Sequence, residues 1–172
     1  MKNKTTPTRT ERVMRENDFI VSKTDLTGRI TYCNETFIEL SGYSEKELLG
    51  AQHNLVRHPD MPRAVFQLLW DHIKAGKECF AYVKNLSKDG SYYWVFANVT
   101  PDFDDHHQPI GYFSVRRRPK PEAVKAVTEI YAAMLAEENR VGSRDGIAAA
   151  TAWLNDALKR REETYEKFVL SL

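Results

Sequence analysis

The 172 residues can hold one domain with a real core plus some extra helix, and fall short of two full domains. Lys+Arg number 25 against 24 Asp+Glu, so no net field draws the chain to nucleic acid or to an anionic membrane. Cys33 and Cys79 form no CxxC, and there is neither an apolar leader nor a run of about eighteen apolar residues; this excludes a disulfide framework, a structural zinc site and direct membrane insertion, and fits a cytoplasmic protein.

Residues 1–11 are polar, have nothing to bury and are expected to be disordered. Phe19-Ile20-Val21 and Arg29-Ile30-Thr31-Tyr32-Cys33 are β-branched and aromatic runs on either side of an Asp- and Gly-containing turn, the pattern of a hairpin. Asn34 suits the cap of a short helix carrying Phe37, Ile38 and Leu40 and ended by Gly42. Ser44 and Glu47 have capping-box spacing before Leu48 and Leu49, so a second short helix follows and stops near Gly50.

A dense polar turn comes next, His53-Asn54-Leu55-Val56-Arg57-His58-Pro59-Asp60-Met61-Pro62. Groups this polar cannot be buried without partners, so the turn is either plain surface or the lip of a pocket that holds something charged. Pro59 pushes His58 out of the α region, Pro62 suits a first helical turn, and Asp60 is placed to cap the helix that begins there. That helix should run to about Ala75, with Val65, Phe66, Leu69 and Ile73 on one stripe and Gly76 ending it.

Residues 79–85 read as a strand, Ser87-Lys88-Asp89-Gly90 as a turn, and residues 91–100 as the longest and most aromatic strand, ended by Pro101. A charged loop over 102–108 precedes a fifth strand at 110–115. Strand parity puts Ala81, Val83 and Asn85 on one face, and Tyr93, Val95 and Ala97 on one face of the next strand. Beyond Pro121 the period becomes helical through Val124, Val127, Tyr131 and Met134; residues 141–146 interrupt it, and Ile147, Leu154, Leu158, Tyr165, Phe168 and Leu172 resume it. Two helices in so small an appendage cannot bury both faces alone, so they pack on the domain or on a second copy of the chain, and a homodimer is the expectation.

Two strands, several short helices, a longer helix and three strands is the order of a PAS domain, an α+β fold in which one five-stranded antiparallel sheet and its flanking short helices enclose a small cavity. Ser41-Gly42-Tyr43-Ser44-Glu45-Lys46-Glu47-Leu48-Leu49-Gly50 and Lys88-Asp89-Gly90-Ser91-Tyr92-Tyr93-Trp94 resemble the usual PAS pattern. The polar turn, Phe66 and Trp70, Val83-Lys84-Asn85, Tyr93-Trp94-Val95, Ala97-Asn98 and Gly111-Tyr112 together resemble the FAD-binding PAS sensor domain of bacterial aerotaxis receptors over about residues 18–118. The resemblance implies a sensor domain over 12–119 with C-terminal signalling or dimerisation helices over 120–172, non-covalent FAD, and a redox or oxygen signal passed to a chemoreceptor signalling module or another downstream protein.

It also implies site residues. Arg57, His58 and Asp60 match the family's FAD-binding turn, with His53 and Asn54 beside them, and Asn85 matches the strand asparagine that hydrogen-bonds the ring's polar edge. Arg and His donors suit a pyrophosphate, and an amide supplies both a donor and an acceptor to a pyrimidine edge. Trp70 is either a cofactor contact or core, and Arg116 either tunes the ring or faces solvent. The turn itself could be surface, with Asp60 as a helix cap paired to Arg57. The strand tryptophan of many of these receptors is Cys79 here, and the Asn-Cys-Arg segment that forms the photo-adduct of light-oxygen-voltage domains has no thiol counterpart in His53-Asn54-Leu55-Val56-Arg57. The alternatives are a PAS module that senses another ligand, either haem through His72 of the long helix or a small molecule, and a ligand-free dimerisation module. No GxSxG, P-loop, GxGxxG or HExxH is present, so no enzyme is expected and no metal site is assigned. The end at Leu172 reads as either a stand-alone sensor or a piece of a longer receptor.

Overall fold

The computed structural model describes residues 5–172. Strands β1 (Phe19–Thr24), β2 (Ile30–Cys33), β3 (Cys79–Leu86), β4 (Tyr92–Phe103) and β5 (Pro109–Arg117) form one antiparallel sheet in the order β2-β1-β5-β4-β3. Helices α1 (Glu35–Ser41) and α2 (Glu45–Leu48), a 3-10 turn at His53–Val56, and α3 (Arg63–Lys74) lie between β2 and β3; α4 (Pro121–Arg160) and α5 (Tyr165–Ser171) follow β5.

The short helices form where local capping chemistry directs them. Asn34 Oδ1 accepts from the Phe37 N–H at 3.2 Å and from the Val21 N–H at 3.0 Å, so one amide starts α1 and pins it to β1. Ser44 and Glu47 close the capping box, the Glu47 carboxylate accepting from the Ser44 N–H at 2.9 Å. The long helix starts differently. Pro62 is its N-cap, and Asp60 makes no cap; its carboxylate accepts from Lys84 Nζ at 2.6 Å instead, because β3 brings a charged partner over the turn. A carboxylate from 74 residues downstream takes the capping role: Glu138 Oε1 accepts from the Ala64 N–H at 2.9 Å, and Oε2 accepts from Arg63 Nε at 3.0 Å.

Strand β4 runs through Pro101 to Phe103, past the expected stop. Its pairing with β3 ends at the Cys79–Val99 register pair while its pairing with β5 continues, so Pro101 stands where β4 has a free side, and a proline is tolerated there. Residues 5–11 also differ from the expected disorder. The Thr8 N–H donates to the Gly90 carbonyl at 2.7 Å, the Tyr92 N–H to Thr10 at 2.9 Å and the Arg12 N–H to Tyr92 at 2.7 Å, so the segment lies along the β3–β4 turn. Residues 1–4 of that expectation lie outside the described residues.

Helix α4 breaks at Gly142 (φ 83°, ψ −175°) within the expected interruption. Residues eight apart in a straight helix are separated by about 12 Å, yet a Cβ on Gly146 would sit 3.1 Å from Glu138 Cα, so the chain folds back on itself there. Val127, Tyr131, Met134, Leu154, Leu158, Phe168 and Val169 are buried in the main core. Their seat is the sheet face that carries Phe80, Tyr82, Trp94 and Phe96: Tyr131 stacks on Trp94 at 6.4 Å, Tyr131 Oη donates to the Tyr82 carbonyl at 2.7 Å, and Tyr165 Oη donates to the Phe80 carbonyl at 3.0 Å. The apolar stripe on which the homodimer expectation rests is therefore covered by the chain's own sheet.

Candidate functional site

The opposite sheet face is lined by small side chains at its centre: Ser22 on β1, Ala97 on β4 and Ser114 on β5. Helix α3 crosses above with Phe66, Leu69, Trp70 and Ile73, and between them and the small sheet side chains a cavity of about 240 Å³ remains. Trp70 and Tyr112 meet edge to face at 5.4 Å at its boundary. Gly28 (φ 82°) lets the backbone approach, since a Cβ there would lie 3.2 Å from the Trp70 ring. Residues 52–54 and Arg57 complete the wall.

Six of the eight sequence-derived candidates line this one cavity: His53, Asn54, Arg57, Trp70, Asn85 and Arg116. His58 and Asp60 do not. The His58 ring is 2% exposed and packs edge-on against Tyr92 at 6.0 Å. Its Nδ1 accepts from the Asp60 N–H at 3.1 Å, while burial and the Lys84 charge push its pKa down to about 4. The ring packs away from the cavity and is absent from its lining. Asp60 is on the surface, paired with Lys84.

Arg57 is positioned by backbone pairing with Asn85, which sews the polar turn to β3. Its guanidinium lies over the Phe66 ring at 4.2 Å and donates to the Met61 carbonyl at 3.2 Å. Arg116 is 2% exposed, 4.8 Å over the Phe37 ring, with one nitrogen donating to Ser22 Oγ. Burial lowers its pKa to about 10, which still leaves it charged at neutral pH. His53 stacks on Phe37 at 5.7 Å and its Nε2 lies 3.4 Å from Ser22 Oγ; burial and the Arg116 charge push its pKa down to about 3, so it is neutral.

Among the described residues, three buried nitrogens of the cavity lining find no partner: Asn85 Nδ2, Arg116 Nε and Arg116 Nη1. Unpaired buried donors are costly and therefore uncommon. Here three such donors stand in the wall of one cavity. Sequence reading missed Ser22, Ser114, Tyr112 and Gln52; the signal for the serines was a small polar residue at an inward strand position, where a bulky apolar one would be expected. His72 bonds the Leu68 carbonyl at 2.8 Å and is absent from the cavity lining, so the haem alternative has no support from that residue. No group of three or more metal-ligating side chains occurs among the described residues.

The sequence pattern of the PAS fold matches residues 30–116. The chain belongs to the PAS fold family. This PAS chain is 40% identical over 135 residues to the aerotaxis receptor of Escherichia coli, which covers 78% of the chain and 26% of that receptor. It is 30% identical over 87 residues to phototropin-2 of Oryza sativa, across 51% of the chain and 10% of the relative. The chain thus spans about a quarter, or less, of these relatives' lengths. Among solved structures, a light-oxygen-voltage domain studied with a flavin analogue superposes with a TM-score of 0.57 at 21% identity, covering 64% of the chain and 83% of that domain. The dark form of the Aureochrome1 light-oxygen-voltage domain gives 0.55 at 22%, covering 69% and 96%. No helix of the described residues is long and apolar enough to cross a membrane.

Proposed function

We propose that this PAS domain is a flavin-binding redox sensor that holds FAD non-covalently and passes a redox or oxygen signal to a chemoreceptor signalling module. The observation that carries the reading is the set of three unpaired donors, on Asn85 and Arg116, in the wall of one cavity. The polar edge of an isoalloxazine offers several acceptors, and Leu69, Trp70, Ile73 and Val99 offer apolar surface to its other side. At about 240 Å³ the cavity lies below the roughly 300–1,000 Å³ of drug-sized ligand pockets. It suits a ring, with a dinucleotide's remainder outside. Arg57, at the turn, is then the donor for the pyrophosphate; its guanidinium lies over an aromatic face and donates to one carbonyl, with the Glu138 carboxylate acting on it as well.

The flavin supplies reversible uptake of two electrons. The chain's own residues orient the ring, exclude water and hold its charge. Buried Cys79, whose thiol burial pushes up to about 12, is absent from the cavity lining and offers no thiolate for an adduct. Residues 12–119 are the sensing unit in this reading and residues 120–172 its output, with self-association through the helices as one route. α3 links the two, since it roofs the cavity and its first turn is held by Glu138.

Purified protein is expected to be yellow, with a flavin spectrum and FAD released on heating; a colourless protein that releases none overturns the reading, and a Soret band replaces it with haem. Asn85→Ala and Arg57→Ala are each expected to lower flavin content at least several-fold while far-ultraviolet circular dichroism stays unchanged. Full occupancy in both variants would remove these residues from the site.

A further inference from the structure

We infer that Arg116 makes the cavity prefer the reduced, more negatively charged form of its ligand, so that this residue sets the potential at which the sensor responds. The inference rests on the flavin reading above and concerns which charge state the site selects. Arg116 is buried at 2% exposure, and every group packed against it is neutral: the Ser22 hydroxyl, the Phe37 ring, the His53 imidazole and the Tyr93 phenol. No carboxylate among the described residues lies against it as a counter-ion. Two of its three nitrogens have no acceptor, and the side chain lines the cavity.

A buried charge without a counter-ion is destabilising. Whatever fills the cavity with negative charge relieves that cost, and the relief grows with the ligand's charge because the surroundings screen poorly. Reduction of the ring by two electrons with uptake of one proton leaves it one unit more negative than the oxidised form. A ligand of equal affinity in both states would not respond to Arg116, whereas one that gains a negative charge binds more tightly beside it.

The neighbouring residues argue that this charge is directed at the cavity. Ser22 is itself buried, at 1% exposure, and its hydroxyl both accepts from Arg116 and faces His53 Nε2. One nitrogen is thereby fixed and the other two are left free. Ala97, the register partner of Arg116 on β4, is small and leaves the guanidinium uncovered on that side.

The test measures affinity of the apoprotein for oxidised FAD and for dithionite-reduced FAD, in the full chain. Arg116→Gln, and Arg116→Met as the variant with better prospects of folding, are expected to reduce the preference for the reduced form at least about tenfold, which for a two-electron couple lowers the midpoint potential by about 30 mV. Arg116→Lys, which keeps the charge, should stay within about threefold of wild type. An unchanged ratio in the Gln and Met variants overturns the inference, as does an equal weakening of both forms, which would make Arg116 a plain binding contact. Wild-type protein that takes up neither form overturns the flavin reading itself, and this inference with it.

Discussion

Glu138→Ala is expected to destabilise the fold by about 2–4 kcal/mol, a large loss for a charged residue of a helix. Glu138 looks like one more acid in a charged helical stretch, but it is 4% exposed and makes two bonds to the start of α3. Truncation leaves the buried Ala64 N–H without an acceptor and Arg63 without its carboxylate, and removes an anion from the positive end of a helix. Arg63 is a third exposed, so water recovers part of its loss, which keeps the estimate below the upper range for fully buried pairs. Glu138→Gln keeps an acceptor for the Ala64 N–H and should lose about half as much. Urea unfolding followed by circular dichroism reads both; a loss under about 1 kcal/mol in Glu138→Ala would show that the clasp is incidental. Because α3 carries four residues of the cavity roof, the proposed flavin binding should weaken together with stability.

Lowering the pH from 7 to 5 is expected to remove about 4 kcal/mol of stability from the ligand-free protein. His53 and His58 are held neutral, with pKa values pushed from 6.5 to about 3 and about 4 by burial first and by Arg116 and Lys84 respectively. The unfolded chain takes up a proton on each imidazole near pH 6.5 and the native chain does not, so the unfolded state binds more protons below that pH. Stability is complete above pH 6.5 and declines as pH falls toward the folded values. Each ring contributes about 2 kcal/mol at pH 5, from about 1.4 kcal/mol per unit over 1.5 units. Glu47 and Asp89, whose pKa values are lowered by hydrogen bonds, add their losses only in the more acid range below about 4.5. A His53→Gln/His58→Gln double variant should show a flat profile between pH 7 and 5; a wild-type profile already flat there would contradict neutral burial of both rings.

Features carried by residues close in sequence were legible, and those carried by distant partners were not. Asn34, the Ser44–Glu47 box and the alternation along β3 and β4 act within a few residues, and each appears as expected. Asp60 had the spacing of a cap, yet the tertiary fold offered it Lys84 and gave the cap to Glu138, a choice no local window contains. His58 belongs to the same polar turn as Arg57, but the stiff Pro59 step turns it toward Tyr92 and away from the cavity. Arg116 was ambiguous because the end of a strand reads as exposed; the inward pleat decided the matter, burying it opposite Ala97. The cavity was the least legible of all, since it is made by side chains that are missing: Ser22, Ala97 and Ser114 are small where bulk would have filled the core.

The Tyr131 and Tyr165 hydroxyls have a consequence beyond anchoring the C-terminal helices. β3 is the outermost strand on its side of the sheet, and such a strand ordinarily presents a row of open carbonyls and amides to which another chain can add. Here the Phe80 and Tyr82 carbonyls already accept from phenols, the Lys84 N–H lies 3.3 Å from Met61 Sδ, and Arg57 pairs with Asn85. A second molecule arriving as an added strand finds those positions of the row already taken. The two phenols therefore protect the β3 edge against strand addition for as long as they stay seated.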